Sequence, residues 1–170
     1  MDRPLRDDEN ENRFGVRHAN LPMKDFADTT VRVRYAETDQ MGVVYYGNYF
    51  TWFEVGRVEL CRQLGFEYKR MEAEDDSYIV VAEAECRYKR PARFDELLTI
   101  RTRVATAQRR TVRFAYEIIN QATGETIATG ETVHVICNLL GQTKSLPEKY
   151  RKYFPAQRGK TPAPDEHVRS

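Results

Sequence analysis

The sequence lacks the long apolar runs and the charge imbalance that mark several classes of protein. Among its 170 residues, no run approaches the ~20 apolar residues that a membrane-spanning helix requires. Residues 1–15 contain no apolar signal core, so we expect a cytoplasmic protein without a membrane span. Because 27 Lys and Arg nearly balance 26 Asp and Glu, the net charge of +1 excludes a uniformly basic surface for nucleic acid.

Cysteine, serine and histidine are also scarce, which limits the available chemistry. Cys61, Cys86 and Cys137 form no CxxC pair or Cys/His cluster, so we expect no metal site and interpret the thiols as buried small side chains. No nucleotide-binding, zinc-protease or GxSxG motif occurs, so we expect no bound cofactor and no serine nucleophile. His134 lies on a predicted strand, which indicates a structural residue.

The two ends of the chain differ in composition from its centre. Residues 1–28 are rich in Asp, Asn, Arg and Glu without periodicity, and residues 156–170 are polar and contain Pro162 and Pro164. Both stretches are typical of disordered tails. The sequence therefore predicts one folded domain over residues 29–155.

The central part predicts one strand, one helix and then four strands. Alternation predicts a strand over 30–35. The segment 49–64 predicts a helix whose apolar stripe faces a broad surface such as a sheet, and Gly65 stands where a helix C-cap belongs. The members of that stripe are Tyr49, Trp52, Phe53, Gly56, Leu60, Cys61 and Leu64. The four later strands are predicted over 77–89, 95–106, 110–120 and 125–138. This order places the domain in the α+β class.

An irregular loop with the best-placed carboxylate precedes the predicted helix. Asp39 begins the loop, which contains Gly42 and Gly47 and ends at the helix start. The partial positive charge of a helix N-terminus holds such a carboxylate ionised, while Val43, Val44 and Tyr45 limit its contact with water. Asp39 then suits the role of a nucleophile or general base. The alternative is that Asp39 only caps a turn.

Basic residues are concentrated in one later segment. Positions 87–113 contain nine basic and two acidic residues, a local net charge of +7, whereas positions 67–85 carry −5. Lys89-Arg90 lies at a predicted strand end and Arg109-Arg110 at a predicted hairpin tip, where both pairs are suited to bind phosphates. The alternative is that these residues are solvated and pair with the acidic stretch.

The loop and the helix resemble a known active-site motif. Asp39, Gly42, Val43, Val44, Tyr45 and Tyr49 match the pattern Asp-x-x-Gly-[Val/Ile]-Val-[Tyr/Trp]-x-x-x-Tyr of the 4-hydroxybenzoyl-CoA thioesterase family of hotdog-fold proteins. The similarity runs from about residue 30 to 150 and includes the segments 53–57 and 88–96 and the late Leu146-Pro147.

The resemblance implies a fold and a reaction. The fold is the hotdog, a curved antiparallel sheet wrapped around one long central helix. Members form homodimers or homotetramers with active sites at subunit interfaces. The reaction is hydrolysis of an acyl-CoA thioester, so CoA is part of the substrate and no separate cofactor is implied.

The resemblance also implies roles for single residues. Asp39 matches the catalytic Asp, and Tyr46 occupies a position that is Tyr in the 4-hydroxybenzoyl branch and His in another branch. The amide N–H near Tyr78 matches the group that polarises the thioester carbonyl, acting across the dimer. The residues implied to contact the substrate or CoA are Gly42, Val43, Tyr45, Tyr49, Lys89, Arg90, Arg109 and Arg110.

Two other functions and one other residue set remain open from the sequence. A non-catalytic acyl-CoA sensor with the same fold would need no Asp39, and a hotdog hydratase or dehydratase usually pairs Asp with a His, which this loop lacks. Glu54 and Glu59 lie on the predicted helix and are interpreted as structural because the Asp motif is intact.

Overall fold

Five antiparallel strands form one sheet in the spatial order β1-β3-β4-β5-β2. The computed structural model of the protein describes residues 26–154. The elements in chain order are β1 (Ala27–Arg32), a 3₁₀ turn (Tyr35–Glu37), α1 (Asn48–Gln63), α2 (Tyr68–Asp75), β2 (Tyr78–Tyr88), β3 (Leu97–Ala107), β4 (Thr111–Asn120), β5 (Thr126–Cys137) and α3 (Glu148–Arg151).

The helix α1 provides most of the core on one side of the sheet. It buries Tyr49, Trp52, Phe53, Gly56, Leu60 and Cys61, as the apolar stripe predicted. A Cβ added at Gly56 would stand 2.8 Å from Ile100 Cγ2 and closer still to Thr102 Oγ1 on β3, so glycine permits the close approach of helix and sheet. The helix ends before Gly65, which has φ +79° as a C-terminal cap requires.

Buried and half-buried side chains alternate along β4, as the sequence predicted. On β4, Val112, Phe114, Tyr116 and Ile118 are buried, while the residues between them are half-buried. All strand pairs are antiparallel, and the sheet with its single long helix is the predicted hotdog fold. The fold class is therefore confirmed.

Two local features differ from the sequence interpretation. The first strand occupies 27–32 rather than 30–35, so it begins within the predicted tail 1–28. The helix α2 was not predicted, because its only fully buried side chain is Met71 and its other residues carry little periodic apolar signal. The predictions for residues 1–25 and 155–170 lie outside the described residues.

The strand β2 is the exposed edge of the sheet. Within the described part of the chain it pairs only with β5, and its other side has no strand partner. Val80 is 48% and Val81 52% exposed, which is high for apolar residues on an 11-residue strand. Such an edge is a template for pairing with another strand. No helix among residues 26–154 is long and apolar enough to cross a membrane.

Candidate active site

Backbone hydrogen bonds fold the Asp39 loop into a tight turn. The Asp39 N–H donates to Val43 O at 2.9 Å, and the Gly42 N–H donates to Asp39 O at 2.9 Å. Gly42 has φ +71°, a conformation that favours glycine. Asp39 Oδ1 accepts the Met41 N–H at 2.8 Å, so Asp39 does cap a turn. No described residue donates to Oδ2, which leaves one carboxylate oxygen for other chemistry.

A buried carboxylate anchors the loop to α1. Glu37 accepts hydrogen bonds from the Arg34 backbone N–H at 2.8 Å, the Arg34 guanidinium at 2.9 Å and Trp52 Nε1 at 3.2 Å. Its carbonyl oxygen accepts from the Tyr45 N–H at 2.9 Å and from Asn48 Nδ2 at 2.8 Å. Burial alone would raise the pKa of Glu37, but the hydrogen bonds from Arg34 and Trp52 outweigh it and lower the pKa.

The sequence interpretation missed Glu37, although its role in the site is large. A lone Glu in a loop carries no periodic signal, and its burial follows only from the packing of Trp52. The available signal was an indirect one: Arg34 and Glu37 stand at the three-residue spacing of a capping box.

A groove of about 390 Å³ lies beside Asp39 at the start of α1. The Tyr88 hydroxyl donates to Tyr46 O at 3.2 Å, and the Tyr49 and Tyr88 rings meet edge to face at 5.0 Å. The groove is lined by Asp39, Val43, Val44, Tyr46, Tyr49, Tyr88, Lys89, Arg90 and Pro91. The structure therefore brings together six of the predicted residues, namely Asp39, Val43, Tyr46, Tyr49, Lys89 and Arg90.

The environment of Asp39 differs from the expectation in one respect. Asp39 is exposed in the single chain, so Val43 and Val44 do not shield it from water as predicted. The reason is that Val44 turns into the core, where its side chain is 5% exposed, and Val43 is only half-buried. The side chain of Tyr45 is exposed and packs on Tyr46 with ring centroids 4.4 Å apart, outside the groove lining.

Free amide groups stand at the N-terminus of α1. The Asn48 N–H donates to Tyr45 O at 3.0 Å and the Tyr49 N–H to Tyr46 O at 3.4 Å. Among the described residues, the N–H groups of Tyr46 and Gly47 donate to no acceptor. A helix N-terminus with unsatisfied N–H groups favours negative charge close to it.

Three predicted residues lie at the other end of the sheet. Tyr78 pairs with Cys137 at the start of β2, and the Ile136 N–H donates to Arg110 O at 2.9 Å. Arg109 Nε donates to Ser145 Oγ at 2.9 Å. Tyr78 and Tyr88 are ten residues apart on one strand, or about 33 Å at ~3.3 Å per residue. One chain therefore does not unite Tyr78, Arg109 and Arg110 with the Asp39 groove.

Only some of the basic residues in the segment 87–113 pair with carboxylates. Arg90 pairs with Glu125 at 3.1 Å, and Arg87 with Glu85 at 3.9 Å. Only Glu85, the partner of Arg87, belongs to the acidic stretch 67–85. Lys89, Arg93, Arg103, Arg109 and Arg110 form no ion pair with a described residue.

The remaining candidates have structural environments. His134 is fully buried, with Nε2 2.8 Å from Thr132 Oγ1, as a structural residue should be. Cys61 and Cys137 are buried, but Cys86 is only half-buried, so its interpretation was partly wrong. Glu54 is exposed, and Glu59 pairs with Arg62. Within residues 26–154, no group of three or more His, Cys, Asp or Glu side chains is placed to hold a metal ion.

Comparisons with known proteins agree with this geometry. The family model of the thioesterase-like superfamily matches residues 33–166. The putative acyl-CoA thioesterase YneP of Bacillus subtilis is 36% identical over 125 residues, which cover 74% of this chain and 87% of that protein. The acyl-CoA thioester hydrolase YbgC of Escherichia coli is 33% identical over 107 residues, which cover 63% and 78%.

A solved structure extends the comparison to three dimensions. The DHNA-CoA thioesterase of Staphylococcus aureus superposes with a TM-score of 0.71 and 33% identity, over 75% of this chain and 88% of that one. The chain is thus a hotdog protein, and it belongs to the thioesterase-like superfamily. The family predicted from the Asp39 motif is confirmed.

Proposed function

We propose that this protein, a thioester hydrolase by family, cleaves acyl-CoA thioesters with Asp39 as the reacting carboxylate. Its relatives named as acyl-CoA thioester hydrolases are 31% to 36% identical to it, which supports this activity. The observation that carries the role of Asp39 is its free Oδ2 in the groove at the N-terminus of α1. Asp39 acts either as the nucleophile or as the base that activates water.

The reaction needs no metal or cofactor in this proposal. If Asp39 attacks, its oxygen bonds to the acyl carbon, the C–S bond breaks, and CoA leaves as the thiol once the sulfur gains a proton. Water then hydrolyses the acyl-aspartyl anhydride. If Asp39 is a base, it takes a proton from the water that attacks the acyl carbon, the C–S bond breaks, and the proton passes to the leaving sulfur. Both routes give the free acid and CoA.

Backbone N–H groups are suited to stabilise the developing oxyanion, a contribution of ~3–4 kcal/mol per donor. The predicted donor is the amide near Tyr78 of a second copy. The free amides of Tyr46 and Gly47 are a second candidate because they belong to the same chain as Asp39 and stand at the helix N-terminus.

The proposed functional unit is a homodimer joined through β2. Antiparallel pairing of two β2 edges brings the Tyr78 end of one copy to the Tyr88 end of the other. Arg109 and Arg110 of one copy then join Lys89 and Arg90 of the other beside one Asp39, which accounts for the separation of these residues in one chain. This arrangement also covers part of the exposed groove. A homotetramer and a cytoplasmic location stay predictions.

Purified protein should release free thiol from acyl-CoA. Because Asp39 would carry the reaction, we expect Asp39→Asn to lower kcat by about 10²–10⁴-fold. The matched control is Asp28→Asn, since Asp28 is also an exposed Asp but pairs with Arg101 on a remote strand. Hydrolysis retained by Asp39→Asn would exclude the proposed role of Asp39.

The same assay separates the alternative functions. Undetectable thiol release across short, long and aromatic acyl groups, with binding intact, would favour the acyl-CoA sensor. A change in absorbance of an unsaturated acyl-CoA without thiol release would favour the hydratase.

A further inference from the structure

A second cavity, of about 270 Å³, lies between α1, β2 and β5. It adjoins the Asp39 groove. Tyr49 of α1 and Tyr88 of β2 line the groove, whereas Phe50, the next residue of α1, and Ala84 of β2 line the cavity. Ala84 and Tyr88 are four positions apart on β2, or about 13 Å. The cavity is lined by Phe50, Thr51, Phe53, Glu54, Arg57, Val81, Ala84, Tyr116, Thr132 and His134.

Arg57 is held in this cavity by α2. Its Nη1 donates to the Tyr68 hydroxyl at 3.0 Å, and its guanidinium lies 5.6 Å from the centre of the Tyr68 ring. Cys61 Sγ, one turn along α1, is 3.4 Å from the same hydroxyl. Tyr68 therefore fixes the position of the guanidinium while using only one of its five N–H donors.

Arg57 is a half-buried cation without a counter-ion in the described part of the chain. No carboxylate of residues 26–154 lies within the 4.0 Å of an ion pair. Glu54 lines the same cavity, but it is exposed and forms no ion pair with Arg57. An unpaired charge that is partly withdrawn from water favours a bound anion.

Apart from Arg57 and the exposed Glu54, the polar groups of the cavity are neutral. Tyr116 Oη and His134 Nε2 both meet Thr132 Oγ1, at 2.7 and 2.8 Å. Burial, with a smaller effect from Arg57, lowers the pKa of His134 to about 3, so its imidazole is uncharged at neutral pH. His134 Nδ1 is buried without a hydrogen-bond partner among the described residues. Arg57 therefore contributes the only positive charge of the lining.

We propose that this cavity receives the acyl group and that Arg57 binds a carboxylate at its far end. The inference rests on the proposed function and names its substrate class: acyl-CoAs whose acyl group ends in a carboxylate. The rings of Phe50, Phe53 and Tyr116 contact the methylene chain, and the planar guanidinium donates two parallel hydrogen bonds to the carboxylate. Glu54 at the mouth repels this carboxylate weakly, because water screens the interaction.

The test compares acyl-CoAs of equal chain length with and without a terminal carboxylate. We expect kcat/KM to be at least about tenfold higher for the carboxylated member, since hydrogen bonds to charged groups are strong. Arg57→Gln should reduce this preference to within about twofold and leave the plain acyl-CoAs within about threefold of wild type. The preference should remain in Arg62→Gln, a control that removes an exposed arginine from the same helix.

Two further variants distinguish a direct role of Arg57 from an effect of misfolding. Arg57→Lys keeps the charge without the planar fork and should retain part of the preference. Glu54→Gln should raise the preference by about two- to threefold, the opposite of Arg57→Gln. A higher kcat/KM for the plain acyl-CoAs, or a preference that persists in Arg57→Gln, overturns the inference.

Binding distinguishes failure of this inference from failure of the proposed function. Calorimetry with Asp39→Asn measures the Kd of the carboxylated and plain acyl-CoAs without turnover. If wild type hydrolyses neither but the Arg57-dependent difference in Kd is present, the proposed function fails and the carboxylate site stands. If wild type hydrolyses both and Arg57→Gln changes neither kcat/KM nor Kd, the proposed function stands and the carboxylate site is wrong.

Discussion

The Asp39 groove and the Arg57 cavity lie next to each other but are built in different ways. The groove is formed by a loop whose shape depends on backbone hydrogen bonds, and its key carboxylate is exposed. The cavity is formed by side chains of packed elements. Its polar groups Arg57, Tyr116, Thr132 and His134 are buried or half-buried, whereas Thr51 and Glu54 are exposed. The difference indicates that exposed groove residues such as Asp39 and Tyr46 can be changed with little loss of stability, whereas changes at the buried lining residues of either region also affect the core.

The largest expected effect is the difference between the two regions in how much a substitution lowers the stability of the protein. Phe53 is 1% exposed and stacks on Tyr116 with ring centroids 4.3 Å apart. Phe53→Ala should lower the free energy of unfolding by about 3–5 kcal/mol because it leaves a cavity in the core. Met41→Ala in the exposed loop should change it by less than about 0.5 kcal/mol. Urea denaturation measures both, and equal effects would contradict the comparison.

The second prediction concerns how the stability of the protein depends on pH through His134, which lines the cavity. His134 has a folded-state pKa of about 3, below the ~6.5 of an unfolded His. Below about pH 6.5 the unfolded chain therefore binds a proton that the folded chain does not, and stability falls by up to about 1.4 kcal/mol per pH unit. His134→Gln should remove this slope between about pH 7.5 and 5, where unfolded carboxyl groups stay largely ionised. An unchanged slope in denaturation experiments would show that His134 is not its source.

The third prediction tests how the groove is anchored. Glu37→Gln converts one of the two acceptor oxygens into an N–H donor and should cost about 1–3 kcal/mol of stability, since Arg34 or the Trp52 indole then loses an acceptor. The pKa of Glu37 is lower in the folded protein than in the unfolded chain. Its contribution to stability is therefore present above about pH 4.3 and is lost as pH falls through its folded-state pKa. Thermal melting across this range checks it. Glu67→Gln is the control and should have little effect, because Glu67 is exposed and its side chain makes no capping hydrogen bond to α2.

The smallest expected effect concerns substrate affinity. Arg109→Ala with Arg110→Ala should raise KM for acyl-CoA by about threefold to tenfold and change kcat less, because exposed phosphate contacts contribute modestly. Steady-state kinetics at low salt measure this change. Arg151→Ala is the control because this exposed residue pairs with Glu148 on α3. An unchanged KM would remove both arginines from the CoA site.

The sequence predicted the elements that have a regular pattern. The stripe from Tyr49 to Cys61 identified α1, and alternation identified the four later strands with errors of one or two residues. Asp39 was found because its loop carries a motif with fixed spacing. Glu37, α2 and the cavity around Arg57 were missed, because each depends on residues that are distant in the sequence and meet only after folding.

What the sequence alone determined is the family, the fold class and the loop that contains Asp39. These properties follow from local periodicity and from a motif of adjacent residues, both of which are written along the chain. The tertiary structure decided which residues share a site. It joined Tyr88, Lys89 and Arg90 to Asp39, and it separated Tyr78, Arg109 and Arg110 from them, because the two groups lie near opposite ends of β2. It also placed the Arg57 guanidinium beside the Tyr68 hydroxyl, because only the packing of α2 against α1 brings the two side chains together.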